Sequence, residues 1–581
     1  MIKKRIKSII FKINLILLTL ITLNECVLIF TRGYEISLGL FKISSHRAGR
    51  LFIAQVILAF TLRIFFTEEM KNTWKKSRIS EAFEFLSYRK IILISVLAII
   101  LISTVAYYQT QSGFFLSDDF EYLSLFDKSD FFDMGIFFGY LKKFGLIRPI
   151  SILSLYGDYL IWKLNPVGFH LTNLIIHILN SFFIFLIFFI ILKERYISML
   201  SAFLFSLYPI HLESVAWISG RFDILCAFFF LLAILFFLIS HRNNSRFSFY
   251  YVLSLVSFIF ALFSKEMAIV LPLVLILFDL FFSGKTELLN VKNKLKIHFP
   301  YWLILFGYVI MRIIYLGNLG GYSYPEGKSF LFHGNLYYNL KNLVLRPFGP
   351  LFVPLNQSLF SNYIFIKNCI LFILAVMIFA SPFRKKLNFK LLLFGLLFIL
   401  LTVIPVFKIL YVSETLEGAR FLYLPSLGAC LIIAALLKIS FFKKEFVGKT
   451  VNLVIPLVVL ILFMSAALRN GSSWIKAAEI SEKISYQTVD RIQNVKFPKV
   501  IYALNLPDNY KGAYIFRNGF SASLYLLGKP DYIEIININK IEKSQLRKEE
   551  KYLILKWEND TIQLISIPYL RMIHYLKQRS L

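Results

Sequence analysis

The residues best equipped for chemistry crowd into one stretch of the chain, between Phe114 and His177. Ser117-Asp118-Asp119-Phe120-Glu121 sets three carboxylates within four positions, directly after an apolar run. Arg148-Pro149 follows, and Asn165-Pro166-Val167-Gly168-Phe169-His170 leads on to Asn173 and His177. Ionisable groups beside membrane spans are costly and as a rule face a bundle interior, a cavity or the water interface. A carboxylate in a partly dry site takes the proton from an attacking hydroxyl, and a neighbouring carboxylate tunes its pKa. Asp119 is the expected base, supported by Asp118 and Glu121. The same residues also suit a helix start, because Asp118 and Glu121 have capping-box spacing; both readings can hold together.

Other polar groups recur further on. His170, Asn173 and His177 share one helical face, with the two histidines about 10 Å apart along the axis. They either line the site or hydrogen-bond between helices. Arg148, Arg221, Lys265 and Arg420 together suit a phosphate or diphosphate, since arginine clamps two oxygens at once. Each alone is equally a cation snorkelling to the interface. Residues 211–223, with His211, Glu213, Arg221 and Asp223, are too polar for a span and too few for a domain. They read as a re-entrant turn, which needs protein or water to satisfy its backbone. His211 and Glu213 offer two metal donors, which do not make a site, so a divalent metal stays possible and no cofactor is assigned. Glu266, beside Lys265, completes the set.

These groups need elements to position them. The chain has 581 residues, 58% hydrophobic and only 17% charged, with mean hydropathy +0.68. Apolar runs of spanning length recur along it, each needing about 20 residues to cross. About thirteen spans are expected, at 9–30, 51–66, 91–108, 169–192, 197–211, 224–240, 248–263, 267–282, 299–316, 363–380, 391–407, 421–439 and 451–468. The fold class is therefore an all-α polytopic membrane protein, ending in a small extracytoplasmic α+β domain. The net charge of +30 sits in short basic segments between the runs, as the positive-inside rule and anionic lipid headgroups require; no nucleic-acid module is seen. With the N-terminus cytoplasmic, the basic loops fall inside and every polar motif above falls outside, on one face. The Lys and Arg assignment does not use those motifs, so their agreement independently supports one shared site.

The basic start followed by an apolar run lacks a small-residue cleavage site, so a retained span is expected. Cys26, Cys226, Cys369 and Cys430 lie within apolar runs and read as small buried hydrophobes. No Walker, dinucleotide or nucleophile-elbow motif appears, which points to a donor drawn from the bilayer. After Leu468, strand-like runs at 500–504, 532–536 and 552–557 alternate with turn residues.

Taken in order, these pieces resemble the GT-C membrane glycosyltransferases, in particular the transmembrane half of the transmembrane-and-tetratricopeptide-repeat O-mannosyltransferases and their bacterial relatives. The matching runs are Ser117-Asp118-Asp119-Phe120, Arg148-Pro149, residues 165–173 with His177, residues 208–223, Ser264-Lys265-Glu266 and residues 417–428. The resemblance implies a GT-C-like, inverting transferase that uses a sugar on a polyprenyl phosphate. Asp118 and Asp119 would lie at its catalytic centre, and the later basic residues would hold the lipid phosphate. Two departures stand out: the repeat-rich half is missing, and residues 9–66 look like an addition.

The expected organisation is an extra span pair with a basic loop (1–90), a GT-C-like catalytic domain (91–468) and the small domain (469–581). The expected function is transfer of a sugar from a polyprenyl-phosphate-linked donor to a glycan, lipid or protein acceptor at the outer face of the cell (inner) membrane. The alternative is a transporter or flippase of lipid-linked saccharides. Partners are the lipid-linked donor, membrane lipids and the acceptor, without nucleic acid. Lys and Phe richness with no organelle signal suggests a bacterial envelope.

Overall fold

The computed structural model describes residues 34–38, 41–45, 88–128, 146–242, 249–282, 291–317, 343, 345–368, 370–371, 386–407, 409–438, 445–493, 500–528, 534–537 and 552–565. An antiparallel ribbon, β1 (Tyr34–Leu38) with β2 (Phe41–Ser45), comes first. The helices are α1 (Tyr88–Tyr107), α2 (Asp118–Lys128), α3 (Pro149–Trp162), α4 (Pro166–Leu192), α5 (Arg195–Ser206), α6 (Arg221–Arg242) and α7 (Phe249–Ser264). They continue with α8 (Leu271–Phe282), α9 (Val291–Leu316), α10 (Lys386–Val403), α11 (Ser426–Leu437) and α12 (Glu445–Gln493).

Among the described residues, six helical segments are long and apolar enough to cross a membrane: Ile92–Ser112, Pro166–Leu192, Ile218–His241, Lys294–Leu316, Phe389–Val406 and Leu453–Ile492. The chain is a multi-pass membrane protein. Its outward stripes are apolar, as lipid contact requires; on α9, Phe299, Leu303, Phe306 and Ile314 are all exposed.

The thirteen expected spans are not all found. Those at 9–30 and 51–66, and most of 363–380, lie outside the described residues, as do Cys26 and Cys369. The run at 197–211 is only the short α5 followed by a tight turn at Pro209–His211. The run at 267–282 is likewise a turn, Glu266–Val270, and then α8. Pro209 begins the first of these turns and Pro272 sits in the first turn of α8, where proline's missing N–H is harmless. Conversely, α3 forms although Gly157 and Asp158 interrupt its apolar run, which hides it from a hydropathy reading.

Local sequence sets the helix ends. Asn165 caps α4, its side chain accepting from Val167 N–H at 3.1 Å, with Pro166 in the first turn. The helix stops at Lys193 in a left-handed conformation, and Glu194 at once caps α5 through Tyr196 and Ile197. So short a link makes α4 and α5 antiparallel neighbours. Where α10 crosses α11, Gly395 meets Gly428; a Cβ on Gly428 would lie 2.5 Å from Gly395 O. Small residues at such crossings let backbones approach.

Helix α12 runs unbroken through Leu468 and is about 74 Å long at 1.5 Å per residue. It ends beside a four-stranded sheet of order β6-β3-β7-β8, where β3 (Val500–Leu504) is parallel to β6 (Glu534–Asn537) and β7 (Tyr552–Glu558), and β8 (Thr561–Ile565) is antiparallel to β7. A small hairpin, β4 (Asn509–Tyr510) with β5 (Ala513–Tyr514), and helix α13 (Phe520–Gly528) lie between β3 and β6 in sequence. The strand-like runs of the sequence fall on β3, β6 and β7.

Candidate active site

Asp119 stands in the first turn of α2, and its carboxylate is buried at 3% exposure. Oδ1 accepts from the Ser219 N–H at 2.8 Å and the Ser219 hydroxyl at 2.5 Å, while Oδ2 accepts from the Leu116 N–H at 3.0 Å. With two lone pairs per oxygen, one on Oδ2 is left over. Burial pushes the Asp119 carboxyl up to about 7; the bonds from Ser219 and Leu116 pull it down, and nearby Asp118 pushes it up again. A carboxyl poised near neutrality is what general-base work needs. Asp118 is half-buried and accepts from Asn518 Nδ2 at 2.7 Å. The carboxylate that caps the turn is Asp119, which bonds Leu116 N–H, in place of the Asp118–Glu121 box the spacing suggested; Glu121 lies half-buried a turn along.

Ser219 is presented by the polar stretch at 211–223, which is a re-entrant turn buried in the bundle. Three of its carbonyls are met by Asn173, whose Nδ2 donates to Val215, Trp217 and Ile218 at 3.3, 3.0 and 3.3 Å. Asn173 Oδ1 in turn accepts from Arg221 Nε. The Arg221 guanidinium also donates to Asp158 at 2.6 Å, Phe169 O at 2.9 Å and Ser154 at 2.9 Å, with no exposed surface. Arg221, Asp158 and Asn173 thus form the scaffold that aims Ser219 at Asp119.

The other three cations converge on the same end of the bundle, each with an acidic partner. Arg148 clamps Glu266 through two bonds, at 3.0 and 2.5 Å. Lys265 donates to Asp223 at 2.5 Å. Arg420 donates to Glu213 at 3.0 Å, and the Tyr514 hydroxyl donates to the same oxygen at 3.0 Å. The Arg420 guanidinium lies 5.0 Å from the Trp217 ring. These pairs form one field: Tyr122 feels Asp118, Arg148, Asp119 and Arg420, and Lys265 feels Asp223, Arg148, Arg420 and Glu266. Burial works to raise Glu266, yet the Arg148 charge and its bonds hold that carboxyl at about 2. Burial raises Glu213 against the pull of Arg420, and it lowers Lys265 against the support of Asp223.

The histidines sit elsewhere. His177 hydrogen-bonds between helices, to Tyr423 OH at 2.7 Å and Ser206 O at 3.1 Å. His211 Nε2 meets Ser426 Oγ at 2.7 Å, and burial, reinforced by His177, holds its imidazole well below the ordinary value. His170 Nε2 lies 3.0 Å from Gly113 O. His211 Nε2 and the Glu213 carboxylate thus meet different partners, and among the described residues no group of three or more His, Cys, Asp or Glu is arranged for a metal. Cys226 and Cys430 are buried free thiols.

Sequence reasoning passed over Asp158, Ser219, Tyr122, Tyr514 and Asn518. Asp158 could have been found as a lone acid in an apolar run; the others carry no comparable mark.

No family model matches the chain. It is 27% identical over 342 residues to Protein O-mannosyl-transferase TMTC4 of Homo sapiens, covering 49% of this chain and 46% of that one. It is 26% identical over 382 residues to Protein O-mannosyl-transferase TMTC1 of Homo sapiens, covering 56% and 42%. Over about half its length the chain resembles the protein O-mannosyl-transferases. It spans about half the length of these O-mannosyl-transferase relatives. Among solved structures, ArnT from Cupriavidus metallidurans bound to undecaprenyl phosphate aligns with TM-score 0.41 at 11% identity, covering 80% of this chain and 92% of that one.

Proposed function

We propose that the chain is a membrane glycosyltransferase that moves a sugar from a polyprenyl-phosphate donor to a hydroxyl of a glycan, lipid or protein acceptor, with inversion. Asp119 Oδ2 takes the acceptor's proton through its remaining lone pair. The acceptor oxygen bonds the anomeric carbon, the bond from that carbon to the phosphate oxygen breaks, and polyprenyl phosphate leaves with the electron pair. Arg148, Lys265 and Arg420 stabilise the charge on the leaving phosphate, the electrostatic contribution that usually dominates such chemistry. Arg221, fully buried and enclosed by its partners, acts as a positioning residue. The site faces outward, with the N-terminus in the cytoplasm. Residues 91–468 carry the chemistry, 1–90 add spans and a basic loop, and 469–581 stand on the site's side.

The observation that carries this reading is Asp119: buried, poised near neutrality and beside Tyr122, which shares the field of Arg148 and Arg420. The likeness to O-mannosyl-transferases supports it. The test is sugar transfer in membranes given labelled polyprenyl-phosphate sugars, comparing wild type with Asp119→Asn. Transfer lost in an inserted variant is expected. Transfer kept by Asp119→Asn but lost by Asp118→Asn gives the proton to Asp118, the more exposed of the pair. Lipid translocation in vesicles without transfer from any donor would replace the enzyme by a carrier.

A further inference from the structure

The chain between β4 and α13 reaches back some four hundred positions to the acidic turn. Ile515 O accepts from the Ser117 N–H at 2.8 Å, and the Asn518 N–H donates to Ser117 Oγ at 3.3 Å. Asn518 Nδ2 donates to Asp118 Oδ1 at 2.7 Å. Gly519, at φ +83°, lies so close that a Cβ there would meet Ser117 O at 2.1 Å. Ser117 itself has φ +49°. A non-glycine residue in that region is uncommon, and such strain persists where the surroundings over-determine it. Here the surroundings are the C-terminal segment, which engages both the amide and the hydroxyl of Ser117.

Simple tethering does not account for all of this. Anchorage is supplied by Tyr514 on Glu213, by Phe516 stacked on Phe120 at 6.2 Å between ring centres, and by Tyr525 OH donating to Asp127 at 3.0 Å. Asn518 is exposed, so its bond adds little to folding. Its amide is nonetheless spent on Asp118, one residue from the proposed base.

We propose that residues 508–519 are a built part of the catalytic site. Asn518 is a positioning residue that holds Asp118 against the acceptor's approach. Gly519 is the bare backbone that lets the segment hold Ser117 in its strained conformation. The catalytic half of this inference rests on the transferase reading; the structural half does not.

The groups facing the acidic pair are the Ser117 hydroxyl and Tyr122 on its own turn and helix, Ser219 and Arg221 from the re-entrant turn, and Asn518; Tyr122 in turn feels Arg148 at the start of α3 and Arg420 from the turn before α11. Replacing Asn518 by Asp adds a like charge to this set, which raises carboxyl pKa values. The experiment uses the full-length protein in nanodiscs. Amide hydrogen exchange over residues 116–122 should quicken at least about tenfold in Gly519→Ala while the membrane helices stay protected. Unchanged exchange overturns the structural half. In the transfer assay, Asn518→Asp should move the acid limb of the pH profile upward by roughly half a unit or more. Asn518→Ala should lower kcat with donor KM held. A pH profile identical to wild type in Asn518→Asp overturns the positioning role. If wild type transfers no sugar, the transferase reading fails, while the exchange result still decides whether the segment holds the turn.

Discussion

Ser219 and Asp119 lie 100 positions apart, yet the amide and the hydroxyl of Ser219 both donate to one oxygen of the Asp119 carboxylate. The pairing leaves the other oxygen partly unused and draws the group's proton affinity down against the larger effect of burial. Because the base works ionised, kcat/KM should rise with pH and level off above about 7. Ser219→Ala removes a bond that favours the ionised form, so the limb should shift to higher pH; a pH series of labelled-sugar transfer checks both.

The same group makes a stability prediction. Burial raises the folded-state pKa of Asp119 above its unfolded value, so ionising it opposes folding. Its contribution is neutral below about pH 4 and becomes unfavourable as pH rises toward 7. The melting temperature of Asp119→Asn relative to wild type should therefore increase between those pH values, read by thermal unfolding in detergent.

Arg221 has no exposed surface and lies 2.6 Å from Asp158. Removing one partner of such a pair strands a buried charge and costs roughly 3–5 kcal/mol. Arg221→Ala should give poorly folded protein with a large drop in melting temperature. Arg221→Met combined with Asp158→Leu should recover much of the stability but not the transfer activity, since Ser219 loses its support.

Arg148 grips Glu266 with two bonds, and lysine offers a single point charge in place of that fork. Arg148→Lys should raise the donor KM about tenfold, the size of one lost charge-assisted hydrogen bond. Glu266 sits below its unfolded pKa, so the pair's stabilisation is present above about pH 4 and is lost as pH falls toward 2. Steady-state kinetics with varied donor concentration test the first point, and acid unfolding of wild type against Glu266→Gln tests the second.

Much of the bundle is legible in the sequence, because spans announce themselves by length and apolarity. The charge of the loops between the spans predicts Asp119, Arg148, Lys265 and Arg420 on one face of the membrane. Where reading by hydropathy falters, packing decides. The run at 197–211 is apolar enough to look like a span, but Tyr208, Pro209 and His211 turn it back into the protein. The cations could be named from sequence, while their pairing could not: nothing in the residue types tells Arg221, closed off by Asp158, from Arg420, shared between Glu213 and the Trp217 ring. The Ser117 clasp is invisible for a different reason. It depends on a backbone conformation and on hydrogen bonds with a distant segment, and neither leaves a pattern along the chain.

The hydrogen bond from Ser117 to Ile515 has a consequence in time as well as in space. Polypeptides are made from the N-terminus, so the membrane helices up to α12 emerge before the segment that holds the acidic turn. During that interval the bundle can assemble around a turn whose strained serine has no support. The turn gains its support only once Ile515 and Asn518 have been synthesised, and a product terminated before them would carry every cation and carboxylate of the candidate site around an unsupported turn.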